Sequence, residues 1–501
     1  MSTQEQLLDP LQVDHLHADL RGRSVRGGVL SLTSQGTQFL LQSVSTVVLA
    51  RLLTPSDYGL VAMVTTVTAV AVGFADLGLT EATIQRKAIT HAQVSTLFWI
   101  NVGVGLLLTL ITAAMAPVLA WFYREPRLVD LTLVMSLTFL LGGLRGQHTA
   151  LLRRQMRFSA LAIRDVTALA VSVPVAIVMA SKGFGYWAIV AIPLVGSSVQ
   201  VVLSWVMVKW RPSAPRRNAG VRSMVSFGGK VAASYMAINW IRTADNVLIG
   251  WYWGAAPLGL YSRAYNLLML PVIQMNIPIG GVAIPALSRV HDDPELFARY
   301  YIRLMNLMMW VSGGIFGFLF AAATPVIILT LGHKWQGAAP VFQMLALSAL
   351  GQVLLESIIW CFVSRGQSGQ LLKLLLVISP IIIAGFCIGL PFGIKWVAAS
   401  LSLVFVAILP WMLKYAFRGT NLTLGRVGRA FVCPLSLCLT GVLVAKLAAR
   451  LIVPQGVLLQ LLVVAVSFAT VYSMSALIPA VRAEMFSFKK LFGELRLSRT
   501  A

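Results

Sequence analysis

The sequence predicts an all-α polytopic membrane protein, with about 14 transmembrane helices in two parallel six-helix lobes and two extra helices at the C-terminal end. Three observations carry this expectation. The chain of 501 residues is 58% hydrophobic and only 11% charged, with a mean hydropathy of +0.81, unlike any soluble domain of that length. Apolar runs long enough to cross a bilayer as helices, which takes roughly 20 residues, recur along the whole sequence. Basic residues segregate into alternate loops between those runs.

Residues 1–28 are polar and lack the apolar core of a signal peptide, so they read as a cytoplasmic tail with a short interfacial helix around Leu11–Leu20. The first lobe, 29–210, holds spans at 29–50, 59–79, 95–122, 128–149, 159–181 and 183–209. Its first span carries a polar stripe of Gln35, Gln38, Gln42 and Ser45. A basic linker, 211–222, follows, with Pro212 and Pro215. The second lobe, 223–416, holds spans at 223–253, 259–287, 301–331, 340–364, 370–390 and 393–416. Span eight contains Pro271, Pro278 and Pro285, with Gly280 and Gly281 between the last two. Each proline deletes a backbone hydrogen bond, and the sevenfold spacing sets them near one face, so a gating hinge is expected there. Spans thirteen and fourteen, 429–450 and 456–479, lie within the segment 429–479 and precede a basic cytoplasmic tail, 480–501.

The net charge of +23 is read from its placement. Arg86, Lys87, Arg153, Arg154, Arg157, Arg211, Arg216, Arg217, Arg222, Arg289, Arg299, Arg365, Arg418 and Arg426 fall in the even-numbered loops, and Arg21, Arg23, Arg26, Lys489 and Lys490 in the termini. The odd-numbered loops hold Arg51, Arg124, Arg127, Lys182, Lys334 and Lys395, with Arg450 at the border of the last. The positive-inside rule then places both termini in the cytoplasm and makes the charge an orientation signal rather than a nucleic-acid footprint.

An internal repeat runs at an offset of 200 residues: Val47-Val48-Leu49-Ala50, a short loop and Gly59-Leu60 align with Val247-Leu248-Ile249-Gly250, a short loop and Gly259-Leu260. In that register Gly28 meets Gly228, Gln35 meets Tyr235, Gln42 meets Arg242, and Ser45 meets Asp245. An even number of helices per lobe makes the repeat parallel, about an axis along the membrane normal.

The seventh span concentrates the chemistry. Tyr235, Asn239, Arg242 and Asn246 share one helical face, with Asp245 beside it. A charge at the bilayer centre costs roughly 2.5–3.5 kcal/mol on the translocon scale, so it persists where it pairs, faces water or binds a ligand. Arg242 and Asp245 could be a structural ion pair. Alternatively Arg242 lines a cavity, and Asn239 and Asn246 on its face favour that reading; a planar guanidinium fork suits phosphate. Arg263 in span eight and Glu356 in span ten are further intramembrane charges. Arg145, Arg164, Asp165 and Lys230 lie nearer the cytoplasmic ends, where the arginines and the lysine either snorkel or serve the site.

Other chemistry is thinly represented. The short loops leave no room for an extramembrane catalytic domain, so Asp292-Asp293 is no glycosyltransferase site, and no phosphate-cradling glycine loop with lysine points to ATP. The histidines are scattered, with His15-x-His17 isolated in the tail, and Cys361, Cys387, Cys433 and Cys438 lack metal-ligand spacing and read as small buried hydrophobes. No metal or cofactor is expected.

Four segments carry a resemblance. Leu53-x-Pro55-x-Asp57-Tyr58-Gly59, Phe74-Ala75-Asp76-Leu77-Gly78-Leu79 and Arg153-Arg154-Gln155-Met156-Arg157-Phe158 resemble signatures of the Wzx-type polysaccharide flippases. These belong to the multidrug/oligosaccharidyl-lipid/polysaccharide (MOP) exporter superfamily. Ala244-Asp245-Asn246-Val247-Leu248-Ile249-Gly250 with Leu258-Gly259-Leu260-Tyr261-Ser262-Arg263-Ala264-Tyr265-Asn266 is similar to the colanic-acid-exporter branch, although Trp251-Tyr252-Trp253 stands where that branch often has a basic residue. The resemblance spans roughly residues 25–480. It implies a MATE-like V of two lobes that translocates a polyprenyl-pyrophosphate-linked oligosaccharide across the bacterial inner membrane by alternating access, for exopolysaccharide, O-antigen or capsule synthesis. It further implies a monomer among membrane lipids, working with polysaccharide polymerase and export machinery, without a cofactor beyond a coupling ion, sodium or a proton. Arg242 and Arg263 would then meet the pyrophosphate, and Gln38, Gln42, Tyr235, Asn239 and Asn246 the sugar hydroxyls, with Asp245, Asp165 and Glu356 as candidate coupling carboxylates. The polyprenyl tail would stay in lipid along spans thirteen and fourteen, as in lipid II flippases. The alternatives are a multidrug-type cation antiporter, whose cavity should be acidic, a lipid II flippase, and a membrane polysaccharide polymerase, which would carry a large periplasmic loop.

Overall fold

The computed structural model describes residues 20–75, 78–86, 88–216, 220–222, 224–226, 243–452 and 456–474. Among these residues the secondary structure is helical, without strands. Eleven helical segments among the described residues are long and apolar enough to cross a membrane. Their large outward apolar side chains, such as Leu107, Val202, Val206, Leu403, Val406 and Leu443, would be a liability in water and suit hydrocarbon. The chain is a multi-pass membrane protein.

Two compact units divide at Gly259 and Leu260. The first contains α1 (Leu20–Leu52), α2 (Pro55–Ala75), α3 (Leu79–Gln85), α4 (His91–Ala114), α5 (Ala116–Tyr123), α6 (Leu128–Arg154), α7 (Phe158–Ser181), α8 (Trp187–Met207) and α9 (Ala244–Trp253). α10 (Ala255–Arg289) begins in it and continues into the second unit. There follow α11 (Pro294–Ala321), α12 (Ala323–Leu331), α13 (Ala339–Ser364), α14 (Ser368–Gly389), α15 (Ile394–Ala416), α16 (Leu424–Ile452) and α17 (Val457–Met474). Short 3₁₀ turns cover His333–Ala338 and Leu390–Phe392.

α1 and α2 coincide with the first two predicted spans. Predicted span three is two helices, α4 and α5, because Pro117 opens a new helix after Met115. Span nine is likewise α11 and α12; Pro325 has no N–H for the carbonyl of Ala321. Of the seventh predicted span only its end, α9, and residues 224–226 are described; Lys230, Tyr235, Asn239 and Arg242 lie outside the described residues. The cysteines divide: Cys361 and Cys438 are buried, whereas Cys433 is half-buried and Cys387 on α14 is exposed, where an apolar surround of lipid accepts a thiol as readily as a core does.

Each unit is packed on the same scheme. In the first, α4 lies on α6, α6 on α8 and α7 on α8; in the second, α11 lies on α13, α13 on α15 and α14 on α15. The bond that closes each group is also repeated. Arg157, between α6 and α7, donates to the carbonyl of Met207 at the end of α8 (3.2 Å), and Arg365, between α13 and α14, donates to the carbonyl of Ala416 at the end of α15 (2.6 Å). Both guanidinium groups satisfy helix-end carbonyls that lack intrahelical partners. α1 runs along α7 in the first unit, while α16 and α17 pack on each other and on α11 in the second.

The signature segments have local structural roles. Thr54 and Asp57 form a reciprocal cap at the start of α2: the Thr54 N–H donates to Asp57 Oδ2 (2.9 Å) and the Asp57 N–H to Thr54 Oγ1 (3.3 Å), with Pro55 as the first helical residue. Arg154, buried, donates to the carbonyls of Thr83, Ile84 and Arg86 and so fastens the end of α3 to α6. Asp293, read above as no catalytic residue, caps α11 by accepting from the Glu295 and Leu296 N–H groups. The start of the basic linker is bound to α4, since Ser213 N–H donates to Ser95 Oγ (3.1 Å), Arg216 N–H to Thr96 Oγ1 (3.2 Å) and Trp99 Nε1 to the Ser213 carbonyl (2.8 Å).

Candidate functional site

The described part of the polar face starts on α1. Gln38 is half-buried and donates to Ser34 Oγ (3.0 Å), one turn earlier, whereas Gln42 is exposed. Ser45 is buried. Gln and Ser lower the apolar character of α1, and its packing along α7 is what holds it.

Asp245 is buried in the first turn of α9. Its Oδ1 accepts from the Asn246 N–H (2.8 Å), and the positive end of the helix stabilises a carboxylate there. Asn246 is half-buried, and its Oδ1 is shut off from solvent and accepts no hydrogen bond among the described residues. A buried acceptor without a donor costs roughly 1–3 kcal/mol, so an amide in that position is suited to a ligand hydroxyl. Arg263 and Glu356, both half-buried, belong to the second unit, on α10 and α13.

Asp165 is where the structure adds most. Arg164 is 4% exposed, so it does not snorkel. Its guanidinium pairs with Asp165 Oδ1 (2.8 Å) and donates to Thr149 Oγ1 on α6 (2.7 Å) and Ser204 Oγ on α8 (3.4 Å). Asp165 Oδ1 also accepts from Gln200 Nε2 on α8 (3.1 Å), and Gln200 Oε1 accepts from Arg145 on α6 (2.5 Å). Six side chains thus bridge three helices. Of the two readings left open for Arg164, its burial disfavours snorkelling: two hydroxyls and a carboxylate solvate the guanidinium inside the bundle.

His148, one of the histidines without an assigned role, is wholly buried one turn from Arg145. Its ring stacks on Trp205 (centroids 4.6 Å apart) and meets Trp210 edge-on (5.2 Å). Among the described residues no cluster of His, Cys, Asp or Glu could hold a metal ion.

α10 continues unbroken through Pro271, Pro278 and Pro285. The prolines leave the carbonyls of Leu267, Gln274 and Gly281 without their usual helical donors. In the second unit a cavity of about 400 Å³ is lined by Pro271, Gln274, Met275 and Ile279 of α10 and Val311 and Ile315 of α11. That hollow has one amide, Gln274, among apolar walls.

Outside the spans, in the loop between α5 and α6, Arg127 grips Glu125 with two bonds of 2.8 and 2.9 Å. The guanidinium holds the Glu125 carboxyl below its ordinary range, and Glu125 in turn raises Arg127.

The fold has close counterparts among solved structures. A lipid II flippase in an inward closed conformation superposes with a TM-score of 0.69 at 12% identity, covering 89% of this chain and 99% of the flippase. An inward-facing multidrug resistance MATE family transporter of the MOP superfamily gives 0.59 at 14% identity, covering 79% and 99%. These likenesses define a polytopic helical protein with the fold those two structures share. Within that class, a profile of the polysaccharide biosynthesis protein family matches residues 48–340, more than half of the sequence, and the chain belongs to that family. Its relatives include the teichuronic acid biosynthesis protein TuaB of Bacillus subtilis, 27% identical over 68% of this chain and 72% of TuaB. The lipopolysaccharide biosynthesis protein WzxC of Escherichia coli is 26% identical over 66% of this chain and 68% of WzxC. The succinoglycan biosynthesis transport protein ExoT of Rhizobium meliloti is 28% identical over 65% of each.

Proposed function

We propose that this chain is a flippase that carries a polyprenyl-pyrophosphate-linked oligosaccharide across the bacterial inner membrane, with both termini in the cytoplasm. The observation that carries the reading is the conjunction of a polysaccharide biosynthesis family with the fold of a lipid II flippase. Relatives named for transport in polysaccharide synthesis support a transporter over an enzyme. The physical problem fits the residues. A sugar-pyrophosphate head cannot enter hydrocarbon alone, and a cavity bearing Arg242, Arg263, Asn239 and Asn246 replaces its water while the lipid tail remains in the bilayer. Two parallel lobes, 29–210 and 223–416, alternate access around that cavity, and α10 bends at its prolines as they do so. Sodium or a proton biases the cycle through Asp245 or Glu356. Asp165, paired with Arg164 yet partly exposed, is the third candidate for that coupling. The protein acts as a monomer and hands its cargo to a polymerase outside.

The test is deletion of the gene, followed by mass spectrometry of the lipid extract. A lipid-linked oligosaccharide should accumulate on the cytoplasmic side and clear when the gene is restored. Normal lipid pools in the deletion strain, with lost resistance to a cationic drug instead, would overturn the reading in favour of the antiporter.

A further inference from the structure

In the first unit, the arginines at the end that the loop charges place in the cytoplasm divide by what their guanidinium groups meet. Arg154 donates to three carbonyls at the end of α3, and Arg157 to the carbonyl of Met207. Arg211 donates to the carbonyls of Trp205, Val208 and Trp210. Arg86, which follows α3, is different. Its Nη1 is shut off from solvent and has no hydrogen-bond partner among the described residues. A buried charged donor without an acceptor is strongly unfavourable, and such a group asks for an explanation. Marking the orientation of the chain does not supply one, because that role needs only a hydrated charge. Arg86 as a whole is half-buried rather than enclosed, so a ligand can approach it.

The surroundings are cationic. The Arg154 guanidinium holds the Arg86 carbonyl, which fixes the backbone of Arg86 against the end of α6. Beside Arg154 in the sequence, Arg153 reaches Glu81 of α3 at 3.5 Å, with side chains 49% and 47% exposed. An exposed ion pair of that length is weak, so Arg153 can exchange its carboxylate for a stronger acceptor. In α3 and the last turn of α6, Glu81 is the only acidic side chain set against Arg86, Arg153 and Arg154. The ligand that this excess selects is an oxyanion, and a planar guanidinium fork matches the oxygens of a phosphate. We propose that Arg86 and Arg153 form a phosphate site, in which a ligand oxygen becomes the acceptor that Arg86 lacks. Its occupant is the phosphodiester headgroup of an anionic lipid, because the site lies at the end of a membrane-spanning helix, at headgroup depth. It ties the junction of α3 and α6 to one leaflet, and it stands whether or not the chain transports a lipid-linked sugar. A free pyrophosphate shares the same chemistry, and the experiment separates the two sources.

The full-length protein is purified in dodecyl maltoside, and its thermal midpoint is followed as phosphatidylglycerol, a neutral galactolipid or inorganic pyrophosphate is added. Phosphatidylglycerol should raise the midpoint by several degrees, and the galactolipid, which has no phosphate, should not. In Arg86→Gln that rise should vanish, while the midpoint without lipid stays the same or increases, because the variant no longer buries an unpaired charge. Arg216→Gln removes an exposed charge from the same end and should leave the rise intact. Glu81→Gln, which frees Arg153, should lower the lipid concentration needed several-fold, and Arg153→Gln should raise it. An equal rise in the wild type and Arg86→Gln would overturn the site, as would an equal response to the galactolipid. A rise with pyrophosphate alone, lost in Arg86→Gln, would overturn the leaflet lipid as the occupant and give the site to a pyrophosphate head. Should Arg86→Gln fail to fold, the opposite shifts of Glu81→Gln and Arg153→Gln still decide, and two unchanged responses would end the proposal.

Discussion

At the scale of single residues, charge inside the membrane is retained where it is solvated by something other than water. Arg164 and Asp165 are solvated by each other, by Thr149 and Ser204, and by Gln200. Arg164→Ala should cost roughly 3 kcal/mol, at the low end for a broken buried pair because Asp165 keeps 29% of its side-chain surface exposed. Arg164→Ala with Asp165→Ala should recover part of that loss, read from thermal unfolding in detergent; a double variant no more stable than the single would deny the pairing its role. Arg242 is the residue on which the cargo reading turns. Arg242→Ala should abolish export while the protein still inserts, and Arg242→Lys should keep only part of it, since ammonium preserves the charge but loses the bidentate fork. If Arg242 instead serves only to neutralise Asp245, removing both should restore export. Export and protein level measured for the two singles and the double separate these outcomes, and a working double variant ends the phosphate-binding role.

Elements add the constraint of direction. The helix α10 passes unbroken through three prolines and lines a cavity at Pro271, so its bending stiffness is set by missing hydrogen bonds rather than by a break in the helix. Replacing Pro271, Pro278 and Pro285 with alanine should slow export without reducing membrane insertion, because the restored bonds stiffen the hinge. An export rate unchanged in the triple variant would remove the gating role. The close approach of α4 and α6 follows from the same economy. Gly105 faces the Phe139 carbonyl and Gly143 the Asn101 carbonyl, where a Cβ would stand 2.7 and 2.5 Å away. In a bilayer, where apolar surface gains little by leaving lipid, such backbone-level packing is what holds helices together.

For the whole molecule, orientation is the property most open to test. The bias of arginine and lysine toward even-numbered loops predicts cytoplasmic termini. A cysteine at position 334 should react with an impermeant maleimide from outside, and one at position 217 only after the membrane is breached. The opposite pattern would invert the cavity and the phosphate site together.

Fold class and family were legible in the sequence, because hydropathy and motif spacing are properties of neighbours along the chain. The repeat at residues 47–60 and 247–260 was legible in the same way, as was the set of polar residues at membrane depth. What those residues touch was decided only by tertiary structure. For Arg164 the sequence left snorkelling and a place in the site both open until α6 and α8 brought Thr149 and Ser204 to it, and His148 showed no sign of the tryptophans that enclose it. Gly59 and Gly259 read as ordinary motif glycines, and only the folded chain set each against the other copy's carbonyl. The physical reason is common to all three: an intramembrane polar group or a missing side chain acquires its meaning from partners tens to hundreds of residues away, and local pattern holds no record of them.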